Sequence, residues 1–186
     1  MNTEALANTR PGRLVLRLLA AIMESRLRYR YFGPDKVLRG AGVAPGQDVL
    51  EIGCGTGFFT LPAAATIGEQ GSLVALDRLT ASVEAVDAKV RAAGLTNTRV
   101  IVGDALDTAL ATESLDTVLI FGVIPAPMLP MDRLLREMHR ILRPGGTLAV
   151  WPPSWVHRQI RRSGLFAYSG TRHGVMNYAR ASGDPS

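Results

Sequence analysis

At 186 residues, with 47% hydrophobic and 20% charged side chains, the chain is long enough for one domain with a real core and short for two. Glycine, proline and charge are spread along it, which excludes long disorder and low complexity. The single cysteine, Cys54, excludes an intramolecular disulfide and argues against a structural zinc site, so a reducing cytoplasm is the expected location and no metal is expected.

The net charge of +5 divides into +4 over residues 1–48, −3 over 49–150 and +4 over 151–186. Basic flanks around a mildly acidic centre suit an anionic partner (a charged small substrate, a lipid surface or RNA) or an arginine-rich solvated surface. In chain order, Arg13–Tyr31 carries Val15, Leu18, Leu19, Ile22 and Met23 at helical spacing with arginines between them, which predicts a leading amphipathic helix. Its apolar run, Leu14–Met23, is ten residues long and broken by Arg17, too short to cross a bilayer, and the basic stretch after it does not suit a cleaved signal. A short helix is predicted over Lys36–Ala41, stopped by Gly42, and a turn at Pro45-Gly46 leads into a buried strand, Asp48–Ile52.

The unit then recurs. The pattern predicts a helix over Phe58–Ile67, a strand over Ser72–Leu76 ending in Asp77, a helix over Thr80–Ala93, and strands over Arg99–Val102 and Val118–Phe121. A helix over Met131–Leu142 is stopped by Pro144-Gly145-Gly146 before a fifth strand, Thr147–Val150. Continuous apolar strands alternating with helices indicate a parallel sheet covered on both faces. Ser154–Arg162 reads as helix, and Leu165–Ser169 and Val175–Ala181 flank Gly-Thr-Arg-His-Gly; so short a connection requires an antiparallel pair. The expected fold is α/β: a doubly wound, mostly parallel, seven-stranded sheet in three layers with a C-terminal antiparallel hairpin. The expected organisation is a helical cap over 1–42 and one compact domain over 43–186.

Gly53, Gly55 and Gly57 fall at every second position between the first strand and its helix, where bare backbone lets a ligand sit against amides. Asp77, twenty residues after Gly57, stands at the end of the second strand, where a carboxylate can accept ribose hydroxyls. An adenosine-containing ligand follows. It is not a nicotinamide dinucleotide, because the third glycine of GxGxxG counted from Gly53 is replaced by Phe58.

VLEIGCGTG (49–57), LVALD (73–77), VIVGDA (100–105) and LREMHRILRPGGTLAV (135–150) resemble the ordered motifs of class I S-adenosylmethionine-dependent methyltransferases, closest to the small-molecule members. The resemblance covers roughly Lys36–Val150, and the closing hairpin is similar to the family's sixth and seventh strands. It implies S-adenosyl-L-methionine as cofactor and S-adenosyl-L-homocysteine as product. It implies that Gly53, Gly55 and Gly57 pass the methionine part while Glu51 supports the loop by ligand contact or by an internal hydrogen bond. Asp77 would take the ribose hydroxyls, Asp104 and the Ala105 amide the adenine, and Phe121 with Gly122 would line the sulfonium. Cys54 and Arg78 belong to the same expected cofactor set.

Displacement at a sulfonium disperses charge, so positioning supplies much of the catalysis. No catalytic base is recognisable: FGVIPAP (121–127) lacks the Asn/Asp-Pro-Pro-aromatic motif of amide and adenine N-methyltransferases. Strand exits and the hairpin turn nominate Trp151, Trp155, His157, Arg172 and His173 as substrate contacts, with Tyr29 and Tyr31 from the leading helix, which resembles the family's variable cap. That helix serves as a lid or as an interfacial contact with anionic lipid. The expected function is methyl transfer to a small acceptor, anionic or lipid-derived. The alternatives are an RNA methyltransferase that uses the basic flanks and a nonenzymatic cofactor-binding adapter.

Overall fold

Alternation within the apolar strands decides how the layers form. Leu50 and Ile52 point to one face of the sheet, Val49 and Glu51 to the other, and all four are buried, as a strand covered on both sides requires. In the computed structural model, which describes residues 33–123, 130–152 and 156–181, the elements run α1 Pro34–Ala41, β1 Asp48–Ile52, α2 Thr60–Ile67, β2 Ser72–Asp77, α3 Thr80–Ala92, β3 Thr98–Val102, β4 Leu115–Phe121, α4 Met131–Ile141, β5 Leu142–Trp151, α5 His157–Arg162, β6 Phe166–Arg172 and β7 Val175–Arg180. The sheet has seven strands in the order β3-β2-β1-β4-β5-β7-β6. β3, β2, β1, β4 and β5 are parallel, and β7 enters antiparallel between β5 and β6.

One face packs under α1 and α2, where Val37, Leu38, Ala63, Ala64 and Ile67 meet Val49, Leu73, Leu119 and Ala149. α3 continues that layer, its Val86 and Val90 lying on Ala75. The opposite face packs under α4 and α5, where Leu134, Leu135, Met138, Ile141 and Ile160 meet Leu50, Ile52, Val118, Ile120 and Leu148. The expected three-layer, doubly wound α/β fold is the one observed. The connection from β3 to β4, residues 103–114, contains no helix; its Leu106 and Leu110 cover the α4 face, and Glu137 of α4 holds Thr108 through both its amide, at 2.9 Å, and its hydroxyl, at 2.6 Å.

Several element ends differ from the sequence pattern. α2 starts at Thr60 rather than Phe58, because Phe58 and Phe59 turn inward as an edge-to-face pair with ring centroids 4.9 Å apart. α4 ends at Ile141, and β5 already pairs Leu142 with Leu115 before the register shifts. Arg143-Pro-Gly-Gly146 is therefore an irregularity inside a strand rather than a stop before one. The hairpin connection is two residues, His173 and Gly174, with φ of 49° and 79°, which is the geometry of a type I′ turn. Helix α1, assigned by pattern to the cap, belongs to the core: Leu38 is fully buried and Asn177 Nδ2 donates to the Gly40 carbonyl at 2.9 Å. The leading helix, with Tyr29 and Tyr31, lies outside the described residues, as does Trp155.

Candidate functional site

Strand order reverses between β1 and β4, whose carboxyl ends therefore open the crevice where ligands of such sheets bind. The loop after β1 carries φ values of 75°, 53° and 83° at Gly53, Gly55 and Gly57. This left-handed backbone suits glycine and explains the spacing. Its first amides are tied down, Gly53 N and Cys54 N donating to Leu76 O at 2.7 and 3.2 Å. A Cβ on Gly53 would collide with the Val123 side chain, whereas, among the described residues, one on Gly55 would find nothing nearer than the Gly53 carbonyl oxygen, at 3.9 Å, and one on Gly122 nothing within 4 Å. Among the described residues, no side chain covers the backbone of Gly55 or Gly122 on either side of the switch point.

Asp77 leaves β2 beside this loop and braces it. Its Oδ2 accepts the Gly55 amide at 2.9 Å and its Oδ1 the Leu79 amide at 3.0 Å. The Gly103 amide donates to the Asp77 carbonyl at 3.0 Å, which joins the β3 exit to the same edge. There Asp104 is exposed and accepts the Leu106 amide on Oδ1 at 3.0 Å, while Ala105 is buried. Arg78 is exposed next to Asp77.

Beneath the loop, Glu51 is buried, and the Thr60 hydroxyl donates to its Oε2 at 2.5 Å. Burial pushes its carboxyl up to about 8, the Thr60 bond pulls it down, and the Asp77 charge adds to the rise. Of the two roles open to Glu51, the structure displays the internal one, a strut between β1 and α2. The Cys54 side chain packs on Ala75, Val86 and Val90, so it faces α3 and leaves only backbone to the loop's open side. Burial pushes its thiol up to about 12, with the Glu51 and Asp77 charges adding.

At the β4 and β5 exits, Gly122 N donates to Trp151 O at 2.8 Å. Phe121 and Trp151 pack around Phe59, with ring centroids 4.9 Å from Phe59 to Phe121 and 5.7 Å from Phe59 to Trp151. This aromatic wall joins two expected residues to Phe59, which no motif signalled; only contact across the sheet reveals it. Of the other nominated substrate residues, those of the hairpin come near it: a Cβ on Gly174, next to His173, would stand 3.6 Å from Trp151 Nε1. His157 lies on the α4/α5 side of the sheet, its Nδ1 2.8 Å from the hydroxyl of Tyr178. His173 occupies the hairpin turn, and the Arg172 guanidinium lies over Gly42, 3.2 Å from where a Cβ there would stand. That is the carboxyl end of α1, where a cation suits the helix dipole.

A doubly wound sheet with this order, a glycine loop at the switch point and a carboxylate closing the second strand together define the class of S-adenosylmethionine-dependent methyltransferases. The chain belongs to the methyltransferase domain family, which matches residues 49–146. It is 34% identical over 111 residues to the demethylmenaquinone methyltransferase of Geobacillus stearothermophilus, a match that covers 59% of this chain and 47% of that protein. To the Listeria monocytogenes (serovar 1/2a) protein of the same name it is 36% identical over 108 residues, 58% of this chain and 45% of that one. The chain thus spans about half the length of these relatives. Among solved structures, a SAM dependent methyltransferase from Aquifex aeolicus superposes with a TM-score of 0.74 at 21% identity, over 87% of this chain and 95% of that one. The geranyl diphosphate C-methyltransferase of Streptomyces coelicolor superposes with a TM-score of 0.65 at 16% identity, over 77% of this chain and 64% of that one. Both share the fold.

S-adenosyl-L-methionine is the cofactor of this class, and the residues present fit it. Among the described residues nothing crowds the backbone at Gly55 and Gly122, a braced carboxylate stands at the β2 exit, and Thr56 Oγ1 is buried in the loop without a partner.

Proposed function

We propose that the chain transfers a methyl group from S-adenosyl-L-methionine to a small, lipid-derived acceptor. The observation that carries the reading is the Asp77 carboxylate bonded to the Gly55 amide beneath a loop in which, among the described residues, no side chain crowds Gly55. The cofactor supplies an electrophilic methyl group on a sulfonium; the chain's task is to bind and orient. Gly53, Gly55 and Gly57 let the methionine part approach backbone, Asp77 receives the ribose hydroxyls, and Asp104 and Ala105 flank the adenine. Phe121, Gly122 and Trp151 form the wall toward the acceptor. An apolar wall excludes water and suits a lipid-derived molecule, in keeping with the relatives' name, demethylmenaquinone methyltransferase. The free, buried thiol of Cys54 suits a reducing cytoplasm.

The test is thermal unfolding with added ligand. S-adenosylmethionine and S-adenosylhomocysteine raise the melting temperature, because ligand bound to the native state stabilises it by mass action, and NAD does not. A shift with NAD and none with either sulfur compound overturns the reading. Salt-dependent RNA binding together with RNA methylation overturns the choice of acceptor alone.

A further inference from the structure

Helix α5 buries Ile160, with Val156 just before it, against the core. It presents His157, Arg158, Arg161 and Arg162 along an open groove of about 360 Å³. Arg91, Arg140, Arg143 and Arg180 each face a carboxylate. Among the described residues none of the three arginines of α5 does, and all three are exposed. The groove has a built edge: His157 is held by the fully buried Tyr178, and its ring meets Tyr168 edge-on at 4.9 Å. Tyr168, on the outer strand β6, is itself 43% exposed.

We infer that this face docks on a membrane surface rich in anionic phospholipid. Charge complementarity carries the argument, and two features select a surface over a single soluble anion. Arg158 and Arg162 are separated by about 6 Å along the helix axis, a spacing that spreads charge over several headgroups. An exposed tyrosine beside the arginines has the amphipathic character favoured at the headgroup level. Residues 1–32 do not suit the groove as a cover, because they carry six basic and two acidic side chains. The inference rests on the proposed lipid-derived acceptor for its purpose, and on the arginine face for its chemistry.

The experiment is sedimentation of the full chain with vesicles of phosphatidylcholine alone and of equal parts phosphatidylcholine and phosphatidylglycerol. The same assay is run on the triple variant Arg158→Gln/Arg161→Gln/Arg162→Gln and on its all-lysine counterpart. The unaltered protein sediments with the anionic vesicles only and is released as salt rises. The glutamine variant binds them about a hundredfold more weakly, each basic side chain near such a surface contributing about 1 kcal/mol, and the lysine variant retains binding. S-adenosylhomocysteine affinity by calorimetry is equal in all three proteins, which reports that they are folded. The inference is overturned if the glutamine variant sediments as the unaltered protein does, or if phosphatidylcholine alone suffices. It is also overturned if inorganic phosphate binds to the arginine face while vesicles do not. Absence of S-adenosylhomocysteine binding from all three defeats the cofactor reading instead and leaves the vesicle result to be read independently.

Discussion

Replacing Glu137 by glutamine tests how the helix-free crossover between β3 and β4 is held in place. Glu137 is 9% exposed. Its Oε1 accepts the Thr108 amide, the Thr108 hydroxyl and Arg140 Nη2, and its Oε2 accepts Arg140 Nε at 2.8 Å. Burial alone would raise its carboxyl; the Arg140 and Thr108 bonds outweigh burial and hold it at about 2, against an ordinary value of 4.5. At 1.36 kcal/mol per pH unit, that displacement corresponds to about 3 kcal/mol of stability. A folded-state value below the unfolded one gives stability that is complete above about 4.5 and is lost as pH falls toward about 2. Glu137→Gln keeps an acceptor for Thr108 and loses the charge facing Arg140. At pH 7 its unfolding free energy falls by about 3 kcal/mol, or about 6–12 °C in melting temperature for a chain of this size, and the gap to the unaltered protein closes between pH 4.5 and 2. Urea unfolding of both proteins across that range is the assay. A deficit under about 0.5 kcal/mol at pH 7, or one that does not change with pH, refutes the reasoning.

Asp77→Ala weakens S-adenosylhomocysteine binding by about 1.5–3 kcal/mol, the scale of hydrogen bonds to a charged group, without unfolding the protein; unchanged affinity by calorimetry would mean the ribose lies elsewhere. Glu51→Gln acts in the opposite pH sense to Glu137→Gln. With the folded-state carboxyl raised to about 8, the unaltered protein loses stability as pH rises from about 4.5 through 8, so the variant gains on it over that range and is the more stable at pH 9. Unfolding midpoints whose difference is the same at pH 5 and pH 9 would show that Glu51 does not ionise as argued.

Sequence pattern by itself determined the parallel sheet, the glycine loop and the carboxylate at the β2 exit. Each rests on short-range chemistry: buried strands read as continuous apolar runs, left-handed turns require glycine, and a strand end is where a ligand-facing acid can sit. The closing hairpin was legible for the same reason, its turn residues lying next to each other in the chain. Tertiary structure alone decided what partners those residues have. Glu51 and Thr60 are nine positions apart and Thr108 and Glu137 twenty-nine, distances at which no periodicity signals a hydrogen bond. The insertion of β7 between β5 and β6 follows from which strand edge is free to pair, and no single segment encodes that. The same is true of the nominated substrate residues. Trp151 and His157 are six positions apart in sequence, yet the sheet stands between them, since β5 ends on one face and α5 covers the other. Chain proximity names the edge at which chemistry can occur, and the side of the sheet is settled only when the strands have packed.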